Sequence, residues 1–317
     1  MIDVQHISKH YGNFIAVEDV TFHVPKGEIL GFLGPNGAGK TTTMRILTGY
    51  LPPSSGTATI AGYDVFLQSL DARHHTGYLP ETVPLYTDMT VRGYLGFQAT
   101  LHGMRDPKKR ARIDEVIERM RLEDYANSQI AKLSKGYRQR VGVAQAIVHE
   151  PDVLILDEPT IGIDPIQVVE TRQLIKDLGK EHTIILSSHI LPEVSMVCQR
   201  VIIINDGLVV AVDTPDNLSS RLGGPDRVRM LVRGPSKEIA AALRDVGGVL
   251  TVDMEESGAE GTYRFYVQCR VGRDVRPQLA AAMVQRRWDL LELQALGLSL
   301  EEVFLKLTTQ EEMAADA

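Results

Sequence analysis

The sequence contains few cysteines and no long apolar run. Its 317 residues include 2 cysteines and 1 tryptophan. Cys198 and Cys269 lack metal-like spacing and fall in different predicted domains, which favours buried free thiols in a reducing, cytoplasmic setting. No apolar stretch approaches the roughly 18 residues of a membrane span, and the N-terminus lacks a signal-peptide core. We therefore expect a chain that neither crosses nor enters a membrane by itself.

Basic residues are outnumbered by acidic ones. The chain has 34 Lys and Arg against 41 Asp and Glu, a formal net charge of -7. A general nucleic-acid binder usually carries a basic face, so we expect no nucleic-acid partner. The hydrophobic share of 44% and the charged share of 24% are those of an ordinary soluble protein. Because a domain typically has about 150 residues, the length predicts two domains.

A glycine-rich loop of the form G-x-x-x-x-G-K-[ST] follows a strand-like run over residues 28–33. Such a loop points successive backbone N–H groups at a phosphate, and the helix that begins at Lys40 adds the positive end of its dipole. Lys40 is expected to reach the β- and γ-phosphates, and the Thr41 hydroxyl to ligate Mg²⁺. The predicted nucleotide-contacting residues here are Gly34, Pro35, Asn36, Gly37, Ala38, Gly39, Lys40, Thr41 and Thr42.

Three acidic residues follow predicted strands. Asp157 ends a nearly continuous apolar run, as in a buried parallel strand whose carboxyl end faces a site, and could hold Mg²⁺. Glu158 could polarise an attacking water. Adjacent acids at the end of a buried strand are costly without a compensating cation or polar partner, which favours a functional role for Asp157 and Glu158. Glu81 follows a strand that Pro80 stops. It could link Mg²⁺ or the attacking water to a mobile region, or be a solvated loop glutamate.

Other polar residues mark further candidate contacts. Tyr11 lies at a turn ahead of the loop, where its ring could stack on adenine or simply belong to an edge strand. Ser134 can cap a helix whose N–H groups around Gly136 favour an anion. Asp164 lies in the loop after Glu158. His189 ends another buried strand and could donate to a γ-phosphate oxygen, or be structural.

The remaining pattern outlines the architecture. Two short antiparallel strands are predicted before the phosphate loop, and helices are predicted over residues 87–125. The basic run 108–112 is interpreted as the solvated face of a helix, with attraction to anionic lipid as the alternative. Beyond a linker at 219–226, strands and helices follow in the order βαββαβ, which predicts a small ferredoxin-like domain over 227–309. Its last helix is expected at 299–308 and a disordered tail at 310–317.

These motifs, in this order, resemble the ATP-binding cassette of ABC transporters over residues 1 to about 215. The resemblance implies an α/β P-loop fold with a mixed-sheet core, an antiparallel β subdomain and a helical subdomain, here over 1–218. It also implies ATP and Mg²⁺ as cofactors. The roles that it implies are the Walker A loop for 34–41, adenine stacking for Tyr11, the Q-loop position for Glu81, the signature motif for Ser134 and Gly136, Walker B for Asp157, the catalytic glutamate for Glu158, the D-loop for Asp164 and the switch histidine for His189.

The chain departs from the usual family pattern at three places. Glu81 stands where most members carry glutamine, so a charge replaces an amide near the predicted Mg²⁺ site. The signature is LSKGY rather than LSGGQ, and Ile163 replaces the usual leucine of the D-loop. The runs GYLPE and LSKGY, with the tail LEEVFLKL, are most similar to ABC-2 type exporter ATPases, especially the gliding-motility-type subgroup.

The family resemblance also implies partners. Hydrolysis in this family takes place between two cassettes arranged head to tail, so a second cassette is expected, from a homodimer or a sister subunit. A separate transmembrane permease would place the chain peripherally, on the cytoplasmic side of the cell membrane. The alternatives are a soluble ABC-type ATPase with a non-transport partner, an importer ATPase, or a regulatory cassette without hydrolysis, which Glu158 and His189 argue against.

Overall fold

A computed structural model of the chain describes residues 1–215, 217–218, 226–257, 261–270 and 274–296. The chain divides into two compact units, Met1–Thr214 and Pro215–Ala317. Among the described residues, no helix has the length and apolar character needed to span a membrane. Both cysteines are free and buried, as predicted.

The strands of the first unit form two sheets. One is antiparallel with the order β2-β1-β4-β5; the other has the order β10-β9-β3-β8-β7-β6, in which only β10 runs antiparallel to its neighbour. The predicted pair of strands before the loop is present, although at 10 and 11 residues it is not short. In chain order the strands are β1 (Ile2–Tyr11), β2 (Phe14–Val24), β3 (Ile29–Leu33), β4 (Ser55–Ile60), β5 (Tyr63–Asp64), β6 (Thr76–Leu79), β7 (Val153–Asp157), β8 (Thr183–Ser188), β9 (Arg200–Asn205) and β10 (Leu208–Asp213).

The parallel part of the larger sheet determines where the site lies. Strands β3, β7 and β8 are buried along their whole length, which explains why their sequences are apolar runs rather than alternating ones. Because these strands are parallel, their carboxyl ends lie at one edge of the sheet. The residues that follow them, Gly34, Glu158 and His189, are therefore brought to the same edge.

Helices surround this sheet. Ser134 caps α5 by accepting a hydrogen bond from the Tyr137 N–H, as predicted, and Asp164 caps α6 by accepting one from the Gln167 N–H. The described helices of this unit are α1 (Lys40–Leu47), α2 (Ser69–His74), α3 (Val91–Leu101), α4 (Lys108–Arg119), α5 (Lys135–Ile147), α6 (Pro165–Leu178) and α7 (Leu191–Val197).

The basic run at the start of α4 is not wholly a solvated face. Arg112 is buried, and its guanidinium donates to the Ile147 and Val148 carbonyl oxygens at the end of α5 and to Glu115. The prediction was therefore wrong for Arg112, because a long side chain can satisfy the free carbonyls at the end of a neighbouring helix.

The second unit has its own core. Its elements occur in the predicted order, and its sheet is antiparallel with the order β12-β13-β11-β14. Asp226 already belongs to the first strand, not to the linker; residues 219–225, 299–308 and 310–317 lie outside the described residues. The elements are β11 (Asp226–Arg233), α8 (Ser236–Arg244), β12 (Val249–Glu256), β13 (Thr262–Cys269), α9 (Arg276–Gln285) and β14 (Asp289–Leu296).

Candidate nucleotide-binding site

The loop between β3 and α1 has a backbone path that requires glycine at two positions. A Cβ on Gly34 would lie 2.4 Å from the Ile204 carbonyl oxygen, and one on Gly39 would lie 2.5 Å from the Ala16 carbonyl oxygen. Gly39 also has φ of +103°, a conformation that L side chains rarely adopt. Neither contact can relax by moving a side chain, because the obstructing atoms are backbone. The loop therefore keeps its path and leads directly into α1.

This loop forms one wall of an open cavity of about 460 Å³. Tyr11 lies in the cavity wall at the end of β1 with 48% of its surface exposed, and the Lys9 ammonium lies 5.4 Å from its ring centroid. Glu81 belongs to the same wall and is exposed. The lining residues are Tyr11, Phe14, Ala16, Asn36, Gly37, Gly39, Lys40, Thr41, Thr42, Glu81, Glu158 and Ile161.

Lys40 is held at the floor of this cavity. Its ammonium donates to the carbonyl oxygens of Gly34 at 2.8 Å and Pro35 at 3.1 Å. It also lies 3.4 Å from Glu158 Oε1, and both side chains are only 6% exposed. A buried ion pair of this kind is costly to break, because the remaining charge would be left without compensation. The loop thus keeps a cation at the cavity.

Glu158 is fixed from several sides. Its second carboxylate oxygen, Oε2, lies 2.9 Å from His189 Nδ1. Its N–H donates to the Ser187 hydroxyl at 3.0 Å. The backbone of Glu158 has φ of +49°, an uncommon conformation for a residue with a side chain. Strain of this kind persists where the surroundings determine the conformation, and such places are often functional.

Asp157, the last residue of β7, is completely buried and precedes the cavity-lining Glu158. The Ser187 hydroxyl donates to its Oδ1 at 2.5 Å, whereas Oδ2 has no hydrogen-bond partner. Burial is the main reason why the pKa of the Asp157 carboxyl is raised. The hydroxyls of Ser187 and Thr41 lower this pKa, and the charges of Glu158 and Glu81 raise it.

The residues around Asp157 fit a magnesium ion. A buried carboxylate oxygen without a partner is costly, and a hard cation would compensate it. The Thr41 hydroxyl is near enough to lower the pKa of the Asp157 carboxyl, and Thr41 and Glu81 both line the cavity. Carboxylate and hydroxyl oxygens are suitable ligands for Mg²⁺.

Seven of the predicted nucleotide contacts are absent from the cavity lining. Three belong to the same loop as lining residues: Gly34, Pro35 and Ala38. A fourth, His189, contacts the lining residue Glu158. The other three are Ser134, Gly136 and Asp164. Ser134 is exposed at the start of α5, and Asp164 caps α6. Gly136 is buried beneath the Gln167 side chain, since a Cβ there would lie 1.4 Å from Gln167 Oε1. We call Ser134, Gly136 and Asp164 together the signature surface. None of the three lines the cavity that contains Lys40.

Sequence reasoning missed several residues of the site. The Ser187 hydroxyl donates to Asp157 and accepts from the Glu158 N–H. In the sequence it stands out as a polar residue directly after the apolar residues of β8. Phe14, Ala16 and Ile161 line the cavity without any chemical signal in the sequence. Their positions follow from the pairing of β1 with β2 and from the turn after Glu158.

A phosphate-binding loop follows β3 at the carboxyl edge of the parallel strands, and two adjacent acids stand at the end of β7, which β8 separates from β3 in the sheet. This arrangement defines a P-loop nucleoside triphosphatase. The family model described as "ABC transporter" matches residues 17–161. The linearmycin resistance ATP-binding protein LnrL of Bacillus subtilis (strain 168) is 33% identical over 97% of this chain and 98% of its own length. The Nod factor export ATP-binding protein I of Paraburkholderia xenovorans (strain LB400) is 36% identical over 98% of this chain and 97% of its own.

A solved structure, described as the ATP binding subunit of an ABC transporter, is 32% identical and covers 70% of this chain and 92% of its own, with a TM-score of 0.64. The chain therefore belongs to the ABC transporter family, as an ATP-binding subunit and ATP hydrolase. The cassette fold predicted from the motifs is confirmed.

Proposed function

We propose that this chain hydrolyses ATP between paired cassettes and thereby drives export through a separate membrane subunit. The observation that carries the proposal is the cluster beside the phosphate loop in which the buried Glu158 carboxylate contacts the buried Lys40 ammonium at 3.4 Å and the partly exposed His189 imidazole at 2.9 Å. Such a cluster is suited to holding a water molecule and a phosphate in fixed positions.

Each group of the cluster has a part in phosphoryl transfer. The loop N–H groups and Lys40 bind the phosphates, and Tyr11 stacks on adenine. Glu158 orients the attacking water and accepts its proton as the bond between the γ-phosphorus and the bridging oxygen breaks and ADP leaves. His189 holds Glu158 in place and donates to a γ-phosphate oxygen. Thr41, Glu81 and Asp157 would hold Mg²⁺, which when bound neutralises charge on the phosphate oxygens.

A second cassette completes this site. The signature surface presents the N-terminus of α5, a helix of 13 residues, and is exposed at Ser134 rather than turned into the chain's own cavity. Its N–H groups are suited to a phosphate brought by another cassette. We infer that Ser134 and Gly136 cover the γ-phosphate of ATP held by the partner, with Asp164 beside them.

Export is the direction that the relatives support. One relative is named for linearmycin resistance and another for Nod factor export, and both extend along almost the whole of this chain. We assign the chain to the ABC-2 type exporters on this basis. The gliding-motility-type subgroup rests only on the runs GYLPE, LSKGY and LEEVFLKL in the sequence.

The membrane subunit would bind beside the nucleotide cavity. A larger cavity, of about 820 Å³, is lined by Pro80, the residue immediately before Glu81. Consecutive residues therefore line two cavities, so movement at one would be transmitted to the other. Two residues that line the larger cavity, Tyr50 and Tyr86, are exposed aromatic side chains, as expected of a protein interface. This partner would hold the chain peripherally, on the cytoplasmic side of the membrane.

The second unit serves as a ferredoxin-like accessory domain in this proposal. The order βαββαβ and the sheet order β12-β13-β11-β14 support it. We assign it no catalytic part, since its described core is apolar.

The test is affinity purification of tagged Glu158→Gln protein from detergent-solubilised cells in the presence of ATP, followed by mass spectrometry. The substitution is expected to hold the cassettes in the ATP-bound state. Stoichiometric recovery of a protein with several membrane spans is the expected result. Recovery of ribosomal or DNA-associated proteins alone would refute export, while leaving the ATPase assignment intact.

A further inference from the structure

The charges around the predicted magnesium site do not balance. Lys40 lies against Glu158, and so does His189. Asp157 and Glu81 have no such partner: within the described part of the chain, no lysine, arginine or histidine nitrogen lies within 4.0 Å of either carboxylate. Asp157 and Glu81 are therefore two carboxylates for which the described residues supply no cation within ion-pair distance, and Glu81 lines the cavity.

One buried oxygen atom of Asp157 indicates where a compensating cation would bind. Asp157 is wholly buried, and its Oδ2 has no hydrogen-bond partner, although Oδ1 accepts one from Ser187. Glu81 lines the cavity together with Thr41, and its negative charge contributes to the raised pKa of the Asp157 carboxyl. Two carboxylates without a neutralising side chain repel each other, and an oxygen-binding divalent cation relieves both the repulsion and the missing contact.

We propose that Asp157, Glu81 and Thr41 form a divalent-cation site that is occupied before ATP binds. The inference rests on the proposed function, because it concerns the same magnesium ion. A glutamine at position 81 would leave one carboxylate at the site, that of Asp157, whereas Glu81 adds a second. Cation affinity rises with the number of charged ligands, so this chain binds the hard cations Mg²⁺ and Mn²⁺ without a nucleotide to share in their coordination.

The consequence is an order of binding. A cation already at the site would attract the phosphates of the incoming nucleotide. Nucleotide affinity would then stay nearly constant once the free cation concentration exceeds the dissociation constant of this site. The exposed position of Glu81 lets a hydrated ion enter from the cavity mouth.

Mn²⁺ is the probe for the test, because its free hydrated form gives an electron paramagnetic resonance signal that is lost on binding. Nucleotide-free, full-length protein is titrated with Mn²⁺ alone. The wild-type chain is expected to bind one equivalent, and Glu81→Gln to bind it at least about tenfold more weakly. Glu118→Gln is the matched control, since Glu118 is an exposed residue of α4 and its substitution removes the same charge. It is expected to bind as the wild type does.

Two results would overturn the inference. One is a wild-type protein that binds no Mn²⁺ without nucleotide at roughly millimolar concentration, where weak calcium and magnesium sites are filled. The other is Glu81→Gln binding Mn²⁺ as tightly as the wild type. ATP hydrolysis by the same wild-type preparation separates this inference from the proposed function. Hydrolysis without nucleotide-free Mn²⁺ binding refutes only the inference, and Mn²⁺ binding without hydrolysis refutes only the proposed function.

Discussion

The phosphate-loop cavity and the signature surface belong to the same unit but are organised differently. In the cavity, Lys40 and Glu158 are buried and in contact, and Asp157, which precedes Glu158, is completely buried. On the signature surface, Ser134 is exposed, and its hydroxyl accepts the hydrogen bond from the Tyr137 N–H that begins α5. The cavity thus has its chemistry assembled within one chain. The signature surface has an exposed serine at the N-terminus of α5 and lies outside the lining of this cavity.

The largest expected effect tests the chemistry of the cavity. In Glu158→Gln the side chain keeps its size and one oxygen but can no longer accept a proton from water. We expect turnover to fall about a thousandfold, a loss of about 4 kcal/mol of transition-state stabilisation. ATP binding should persist, because the Lys40 ammonium is compensated by the phosphates. Steady-state phosphate release and equilibrium binding of a fluorescent ATP analogue measure the two effects. Turnover at the wild-type rate would remove Glu158 from its proposed role.

A smaller effect is expected at the phosphate contact itself. Lys40→Ala removes the buried ammonium, and hydrogen bonds to charged groups contribute about 1.5–3 kcal/mol. ATP affinity should fall by up to about a hundredfold. Ser134→Ala is the contrasting variant, because Ser134 lies outside the cavity, and it should bind ATP as the wild type does in dilute, monomeric protein. Equal losses of affinity in both variants would contradict the division between the two regions.

The contact to the base is weaker still. Tyr11→Ala removes a half-exposed ring from the cavity wall, and stacking of a base on an aromatic side chain contributes about 1–3 kcal/mol. We expect ATP to bind about tenfold more weakly. Tyr11→Phe keeps the ring and should bind normally. If the phenylalanine variant loses as much affinity as the alanine variant, the hydroxyl matters and stacking is not the contact.

The sequence predicts well which residues lie at the carboxyl edge of the sheet, because parallel strands bring the residues that end or follow them to one edge. Asp157 and His189 each follow an apolar run, and runs of that kind become neighbouring buried strands with aligned carboxyl ends. The contacts between side chains could not be predicted in the same way. Ser187 reaches Asp157 across 30 positions of the chain, and Arg112 reaches the end of α5 across 35. Such contacts depend on strand register and helix packing, which no local pattern determines.

Backbone strain is a second feature that the sequence conceals. Glycines signal the left-handed conformation of the phosphate loop, but Glu158 adopts φ of +49° without any such residue type. The hydrogen bonds from the Glu158 N–H to β8, and the contacts of its carboxylate with Lys40 and His189, hold it there. A conformation imposed by tertiary contacts becomes visible only in the structure.

The smallest expected effect tests most directly whether the two regions meet in different chains. Lys40→Ala removes the phosphate-binding cation of the cavity, and an exposed substitution such as Ser134→Arg blocks the signature surface, so each protein alone should have little activity at an ATP concentration that Lys40→Ala binds poorly. In a mixed dimer, the intact cavity of one chain meets the intact signature surface of the other, and only one of the two sites is lost. Random pairing of equal amounts would restore about a quarter of wild-type activity, since about half of the dimers are mixed and each has one working site.

Phosphate release measured against the mixing ratio gives the result, with each variant mixed with itself as the control. Activity that follows the product of the two concentrations supports sharing of the site between copies of this chain. If no activity returns although both variants are folded and the Ser134→Arg protein binds ATP, two copies of this chain do not complete each other's site. The signature surface would then have to meet a nucleotide held by a different cassette.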